Sequence, residues 1–264
     1  MRVPVPPLHE QKKIAAILST WDKAITTTEQ LLANSQQQKK ALMQQLLTGK
    51  KRLLDENGER FRGEWRKVPI GSILKEVKRP VEWDDGTKYK LLSVKRRSEG
   101  VILREVLLGS DILTKKMNVA HAGDFLISKM QVVHGASGLV PKMFHGYHVS
   151  DSYISLVPKD ANKLDILFFS WLSKQKVMYH QAFLCSYGVH IEKMTFNFKL
   201  FLKTKVLIPQ SLKEQQKIAA VLAAADEEIS ALQQKIEALK QEKKALMQQL
   251  LTGKRRVKVD EVAA

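Results

Sequence analysis

Glu10-Gln11-Lys12-Lys13-Ile14-Ala15-Ala16-Ile17-Leu18 returns 204 residues later as Glu214-Gln215-Gln216-Lys217-Ile218-Ala219-Ala220-Val221-Leu222. The offset then holds without a gap, carrying Asp22 onto Asp226 and Ile25 onto Ile229. It ends by laying Lys39–Lys50 (KKALMQQLLTGK) on an identical Lys243–Lys254. Self-similarity at a fixed offset marks a duplicated structural unit. The stretch from about 55 to 208 occurs once, so the layout is a helix, one unique domain, and the same helix again.

Both copies are expected to be long helices. Ser211 with Glu214 fits the capping box, and Gly253 supplies a left-handed stop after Leu250-Leu251-Thr252. In the first copy Pro7 takes the place of Ser211, which a helix accepts in its first turn. At 1.5 Å rise per residue each helix would run roughly 60 Å. The second copy keeps a 4-3 apolar spacing through Ile218, Leu222, Ala225, Ile229, Leu232, Ile236, Leu239, Lys243, Leu246 and Leu250, a coiled-coil seam. The first copy places Ile14, Leu18, Trp21, Ile25, Thr28, Leu32, Ser35, Lys39, Leu42 and Leu46 on the same positions, with Thr28, Ser35 and Lys39 as polar interruptions. One helix enters the central domain and the other leaves it, so the simplest pairing is antiparallel within the chain.

The central region changes period. Short β-rich runs at Tyr89–Val94, Val101–Leu108, Phe125–Met130, Tyr153–Val157 and Thr204–Ile208 alternate with glycine turns. One helix is predicted from about Leu164 to Leu184, capped by Asn162, with an apolar face including Leu167, Phe168, Trp171, Leu172, Met178 and Phe183. The fold class is therefore α+β: a mixed α/β head of about 150 residues, an ordinary domain size, plus two long helices in an antiparallel coiled coil.

The chain has 264 residues, 44 basic against 27 acidic, for a net +17. Residues 55–208 hold 25 basic and 16 acidic side chains, so the head carries +9 of that excess. A charge of this size favours nucleic acid; a membrane-surface protein would concentrate it on an amphipathic helix instead. No apolar run approaches the ~18 residues of a bilayer span, and Met1-Arg2-Val3-Pro4-Val5-Pro6-Pro7 is not a signal sequence. A soluble, cytoplasmic protein is expected. Cys185 is the single cysteine, which excludes an intrachain disulfide and a cysteine zinc site. His121, His145, His148 and His180 show no paired metal spacing on a predicted helix, and no metal site is expected. Dinucleotide, P-loop, methyltransferase Asn/Asp-Pro-Pro-Tyr/Phe and HExxH motifs are all missing, so no enzyme activity is expected. Glu76-Val77-Lys78 is the nearest nuclease-like fragment and lacks its upstream aspartate.

Pro6-Pro7-Leu8-His9-Glu10-Gln11 through Ile14-Ala15, its repeat from Ile208-Pro209 to Ala219, and Gly123-Asp124-Phe125-Leu126-Ile127-Ser128-Lys129 before a Gly-rich turn resemble the specificity (S) subunit of type I restriction-modification enzymes. The resemblance covers essentially the whole chain. A complete subunit of that family has two target-recognition domains alternating with two conserved helical spacers, whereas this chain resembles the C-terminal half. The resemblance implies a spacer helix at 1–54, a target-recognition domain at 55–208, and a second spacer with a basic tail at 209–264. It also implies a non-catalytic reader of double-stranded DNA that docks modification (M) subunits, with restriction (R) subunits in some systems. S-adenosylmethionine would sit on the M subunit and ATP and Mg on the R subunit, with no cofactor on this chain. A rod of ~60 Å spans just under two turns of B-DNA at ~34–36 Å each. A homodimer is expected because the N-terminal helix lacks the second head it would reach, and two-fold pairing would make the site an interrupted palindrome.

Base reading needs Arg or Lys for guanine and Asn or Gln for adenine, with phosphates held by Lys, Ser and amides near glycine. Three loops offer these groups. The first is Lys95-Arg96-Arg97-Ser98 before Gly100; a solvated charge run is its alternative. The second runs from Lys129 to Gly138, with Gln131, His134 and Ser137 as readers. The third is Ser186 to Lys193, with Tyr187, His190 and Lys193 as contacts, against a buried Tyr and a structural His. Lys115 and Lys116 are candidate phosphate contacts or simply exposed. The rival function is a basic coiled-coil scaffold that binds nucleic acid or a membrane without sequence preference. Such a protein would lose binding to all sequences equally as salt rises.

Overall fold

A computed structural model describes residues 5–188, 190 and 194–258. In chain order the regular elements are α1 (Leu8–Leu46), β1 (Trp65–Pro69), α2 (Ile70–Ile73), β2 (Leu74–Val77), β3 (Lys88–Val94), β4 (Val101–Leu108), β5 (Met117–Ala120), β6 (Phe125–Ser128), β7 (Ser137–Leu139), β8 (Tyr147–Ser150), β9 (Tyr153–Pro158), α3 (Ile166–Ser173), α4 (Lys176–Leu184), β10 (Ser186–Tyr187), β11 (Thr195–Phe196), α5 (Phe198–Lys203), β12 (Lys205–Pro209) and α6 (Leu212–Leu251). They divide into two compact units. One is helical, Met1–Leu42 with Val221–Ala264; the other, the head, is Met43–Ala220.

In the helical unit α1 and α6 run antiparallel, as their cross-helix bonds show. Glu29 meets Lys240 at 2.7 Å, Asp22 meets Lys243 at 2.5 Å and Glu10 meets Arg256 at 2.9 Å, so the partner number rises as the first falls. Ile14, Ile25, Leu222 and Ile236 are buried, and Leu18, Trp21, Ile229, Leu232, Leu239 and Leu246 are partly buried. The polar interruptions of the first seam are satisfied rather than orphaned. Thr28 Oγ1 donates to its own helix at Ala24 O (2.8 Å), Ser35 Oγ donates to Glu228 Oε1 (3.0 Å), and Lys39 pairs with Asp226. A buried hydroxyl with a partner avoids the desolvation penalty that would otherwise break the seam.

The head holds two four-stranded sheets, ordered β2-β9-β6-β7 and β4-β3-β8-β5. The first is antiparallel throughout; in the second, β3 and β8 meet in parallel at Leu91 and His148. Leu92, Val94, Val101 and Val149 of one sheet share a core with Leu126 of the other and with Ala136 and Val140 beside it. Alternate residues of β3 therefore build the layer between the sheets. A separate pair, β1 with β12, joins the beginning of the head to its end, Trp65 opposite Pro209.

The predicted helix over 164–184 is two helices. Gln175 leaves helical geometry (φ −76°, ψ 145°), and its Nε2 donates to Leu47 O at 3.3 Å. That carbonyl follows the end of α1, where helices leave acceptors unpaired. The cap is Asp165, accepting from Phe168 N, and not Asn162. Leu167 and Phe183 are exposed, contrary to the apolar face drawn from sequence, while Phe169 and Ala182 are buried in their stead. Breaking the helix resets its phase, so a single 3.6-residue period across the break selects the wrong residues.

The last turn of α1 and the first turns of α6 lie in this unit. Glu214 is fully buried: its carboxylate accepts two bonds from Arg52 (2.5 and 2.7 Å) and one from Trp65 Nε1 (3.4 Å). Gln215, also fully buried, uses its whole amide, accepting from Asp165 N at 2.8 Å and donating to Lys163 O at 3.0 Å and Pro209 O at 2.9 Å. The Glu-Gln pair of the repeat is thus a polar connector between helix start and head. Glu214 N donates to the capping Ser211 Oγ at 3.3 Å, but the Glu214 side chain is committed to Arg52 and Trp65.

Candidate nucleic-acid interface

Two of the three predicted loops lie side by side. The turn Arg96–Ser98 follows β3, and the turn Val132–His134 follows β6. Ser98 N donates to Gly135 O at 2.8 Å, which ties the first loop to the second. Ser98 Oγ lies 2.6 Å from the Tyr179 hydroxyl on α4. Arg97 (φ 58°) and Ser98 (φ 55°) are the non-glycine residues in the left-handed region among the described residues. Gly135 is left-handed as well (φ 73°), and a Cβ there would fall 2.6 Å from the Tyr179 ring. Arg96 and Arg97 are exposed, while Ser98 is buried, so its hydroxyl is a brace and is not presented to a ligand.

The second loop faces inward more than its sequence suggests. Ser137 is buried in β7, opposite Ile127. Gln131 and His134 are half-buried, and Gln131 Oε1 is enclosed with no hydrogen-bond partner. An enclosed acceptor without a donor is unfavourable, and a rotation that carries the amide to solvent or to a ligand would relieve it. Lys129 is half-buried and donates to Asp151 O at 2.6 Å.

Asp151 connects Lys129 to the third group of candidates. Its N–H donates to Lys116 O at 3.3 Å. Lys115 and Lys116 are both exposed just before β5; Lys115 Nζ pairs with Asp85 at 2.8 Å, and that bond holds the Asp85 carboxyl below the usual carboxylate range. Tyr187 is 57% exposed, which removes the buried-Tyr alternative, and its hydroxyl accepts from Asn197 Nδ2 at 3.4 Å. It lines a cleft of about 450 Å³ with Lys78, Lys129, Lys199 and Asn197, and with the carboxylate of Glu76. His190 is exposed, and Lys193 lies outside the described residues.

The arrangement offers guanidinium groups on a rigid turn, an amide beside them, and a lysine-lined cleft with an exposed aromatic ring. Those are the groups that hold phosphates and read base edges. Sequence reasoning missed Tyr179, Lys78, Lys199 and Asn197. Gly135 was the sole signal for Tyr179 in the sequence, and it names no partner. Among the described residues no cluster of three or more His, Cys, Asp or Glu could hold a metal, and no helix is long and apolar enough to cross a membrane.

No curated protein matches. The crystal structure of the HsdS subunit from Thermoanaerobacter tengcongensis superimposes with a TM-score of 0.56 at 19% identity, covering 96% of this chain and 61% of that one. The crystal structure of the type I restriction-modification S subunit from M. genitalium gives 0.54 at 15% identity, over 92% and 61%. A chain from a study of complex assembly in the type I R-M system gives 0.54 at 18% identity, over 96% and 62%. The chain therefore spans about three fifths of the length of these structures, which share its fold. The family model for the type I restriction modification DNA specificity domain matches residues 1–34 and 63–241, taking in most of both helices and nearly all of the head. With a match over more than half of its length, the chain belongs to the type I restriction-modification DNA specificity family.

Proposed function

We propose that the head reads one half of a bipartite DNA site, and that the chain docks methyltransferase subunits which modify that site. The observation that carries this reading is the hydrogen-bonded junction of the Arg96–Ser98 and Gln131–Gly135 loops, which sets exposed arginines beside an amide-bearing turn in a member of a DNA specificity family. Arg96, Arg97, Gln131 and His134 read bases in this scheme; Lys115, Lys116, Lys129, Tyr187 and His190 hold the backbone. The chain itself carries no catalytic group, and the methyl donor S-adenosylmethionine belongs to the partner. Two copies pair about a two-fold axis, restriction subunits join in systems that possess them, and the assembly works on cytoplasmic DNA. The study of complex assembly in the type I R-M system, whose chain shares this fold, supports the idea of an assembled complex.

The test is co-purification with a cognate methyltransferase subunit, followed by sequencing of methylated adenines on plasmid DNA. A symmetric interrupted motif is expected for the homodimer. An asymmetric motif would replace the homodimer with pairing to a different head, and binding that falls equally for all sequences as salt rises would replace specific reading with the scaffold function.

A further inference from the structure

We infer that Tyr179 is a positioning residue that latches the two reading loops to one another, so that the arginines and the Gln131 turn act as a single reading unit. The inference rests on the DNA-reading role of those loops. It comes from a strained turn and what holds it. An L-residue in the left-handed region crowds its Cβ against the carbonyl oxygen, and two such residues in succession persist only where the surroundings fix them. Arg97 and Ser98 are such a pair.

Tyr179 touches both sides of the junction. Its hydroxyl lies 2.6 Å from Ser98 Oγ, which fixes the second residue of the strained turn. Its ring fills the space where a side chain at 135 would stand, since a Cβ on Gly135 would meet Cζ at 2.6 Å and Cε1 at 2.7 Å. The loops are bonded directly as well, Ser98 N to Gly135 O. A phenylalanine would fill the same space beside Gly135 and leave Ser98 Oγ with only its longer bond to Gly135 O at 3.4 Å. The ring therefore sets the spacing between the loops, and the hydroxyl sets the left-handed backbone from which Arg97 projects. A guanidinium discriminates bases only when its fork is held in register, so loosening the turn removes selectivity before it removes attraction to phosphates.

The experiment uses the full chain and a randomised duplex DNA library, comparing the parent with Tyr179→Phe, Arg97→Ala and the double variant. Enrichment of the selected site over the starting pool is expected to fall about five-fold in Tyr179→Phe, the size of one hydrogen bond's contribution. The salt dependence of non-specific binding should stay at the parental value, because the phosphate contacts remain, while the melting temperature should fall by only about 2–4 °C, the size of one lost hydrogen bond with the packing kept. Arg97→Ala should cost less in the Tyr179→Phe background than in the parent, the signature of coupled residues. Parental enrichment in Tyr179→Phe, or strictly additive losses, would overturn the latch and leave DNA reading intact. A parent chain that enriches no sequence would overturn the reading itself.

Discussion

Glu214 and Glu10 occupy equivalent positions in the two helix copies, as do Arg52 and Arg256, and both ion pairs form: Arg52 with Glu214 at 2.5 Å and Arg256 with Glu10 at 2.9 Å. Their surroundings differ. The first pair has side chains 20% and 0% exposed; in the second, Glu10 is buried as well (8%), but its partner Arg256 is 66% exposed. Gln215 spends its amide on Lys163, Asp165 and Pro209, whereas its counterpart Gln11 is exposed and bonds Pro6 O. Leu47 is 2% exposed and its equivalent Leu251 52%. Gly49 and Gly253 share a φ of 71°, yet a Cβ on Gly49 would press on the Trp65 ring at 3.1 Å while one on Gly253 would meet nothing. One sequence thus makes the same local structure twice, and the head decides which copy is load-carrying for its stability.

The sharpest test of that contrast is a pair of matched substitutions. Glu214→Ala strips the partner from a largely buried guanidinium and should cost about 4 kcal/mol in urea unfolding, whereas Glu10→Ala, whose partner is mostly solvated, should cost about 1 kcal/mol or less. Equal losses would show that the two environments are alike after all. Leu47→Ala should cost about 3 kcal/mol by leaving a cavity, and Leu251→Ala well under 1 kcal/mol. Lys39→Ala and Lys243→Ala supply the control, because they break equivalent pairs with Asp226 and Asp22 that both lie in the helical unit. Each should cost about 0.5 kcal/mol, and a large difference between them would mean that the helices are not equivalent in their middle.

A smaller, pH-dependent effect belongs to the head alone. Burial pushes His148 below its usual value of 6.5, and its Nδ1 is enclosed without a partner while the ring stands edge-on to Tyr89 at 5.0 Å. The folded state therefore holds His148 neutral. The unfolded chain takes up its proton first, so this contribution is complete above about pH 6.5 and is lost as the pH falls below it. His148→Gln should flatten the stability profile between pH 7 and 5, and an unaltered slope would assign the acid sensitivity to other groups.

Much of the fold was legible because it is written in local pattern. Val101–Leu108 is β4 to the residue, and Tyr89–Val94 and Tyr153–Val157 each lie within one residue of β3 and β9. The long helices follow from repeat, seam and glycine stops. Short strands without alternation were not legible: β8 is Tyr-His-Val-Ser with one buried residue, and β1 exists because it pairs with β12 from the far end of the head. At the candidate interface, residue type singled out the loops proposed as readers, but type alone could not tell that Ser98 and Ser137 are buried or that Gln131 turns its amide inward.

Sequence alone determined the duplicated helices, their caps and the chemistry available in each loop, since these depend on side-chain type and on spacing within a few turns. Tertiary structure alone decided that the helix breaks at Gln175, that Glu214 and Gln215 become a buried connector while buried Glu10 pairs with an exposed arginine and Gln11 is exposed, and that the Arg97 turn meets Gly135 and Tyr179. The reason is desolvation. A carboxylate or an amide is tolerable in many settings on an exposed chain, and only the partners brought from distant residues determine whether burying it stabilises the fold or breaks it; the left-handed turn at Arg97 likewise persists only because residues distant in the chain fix it.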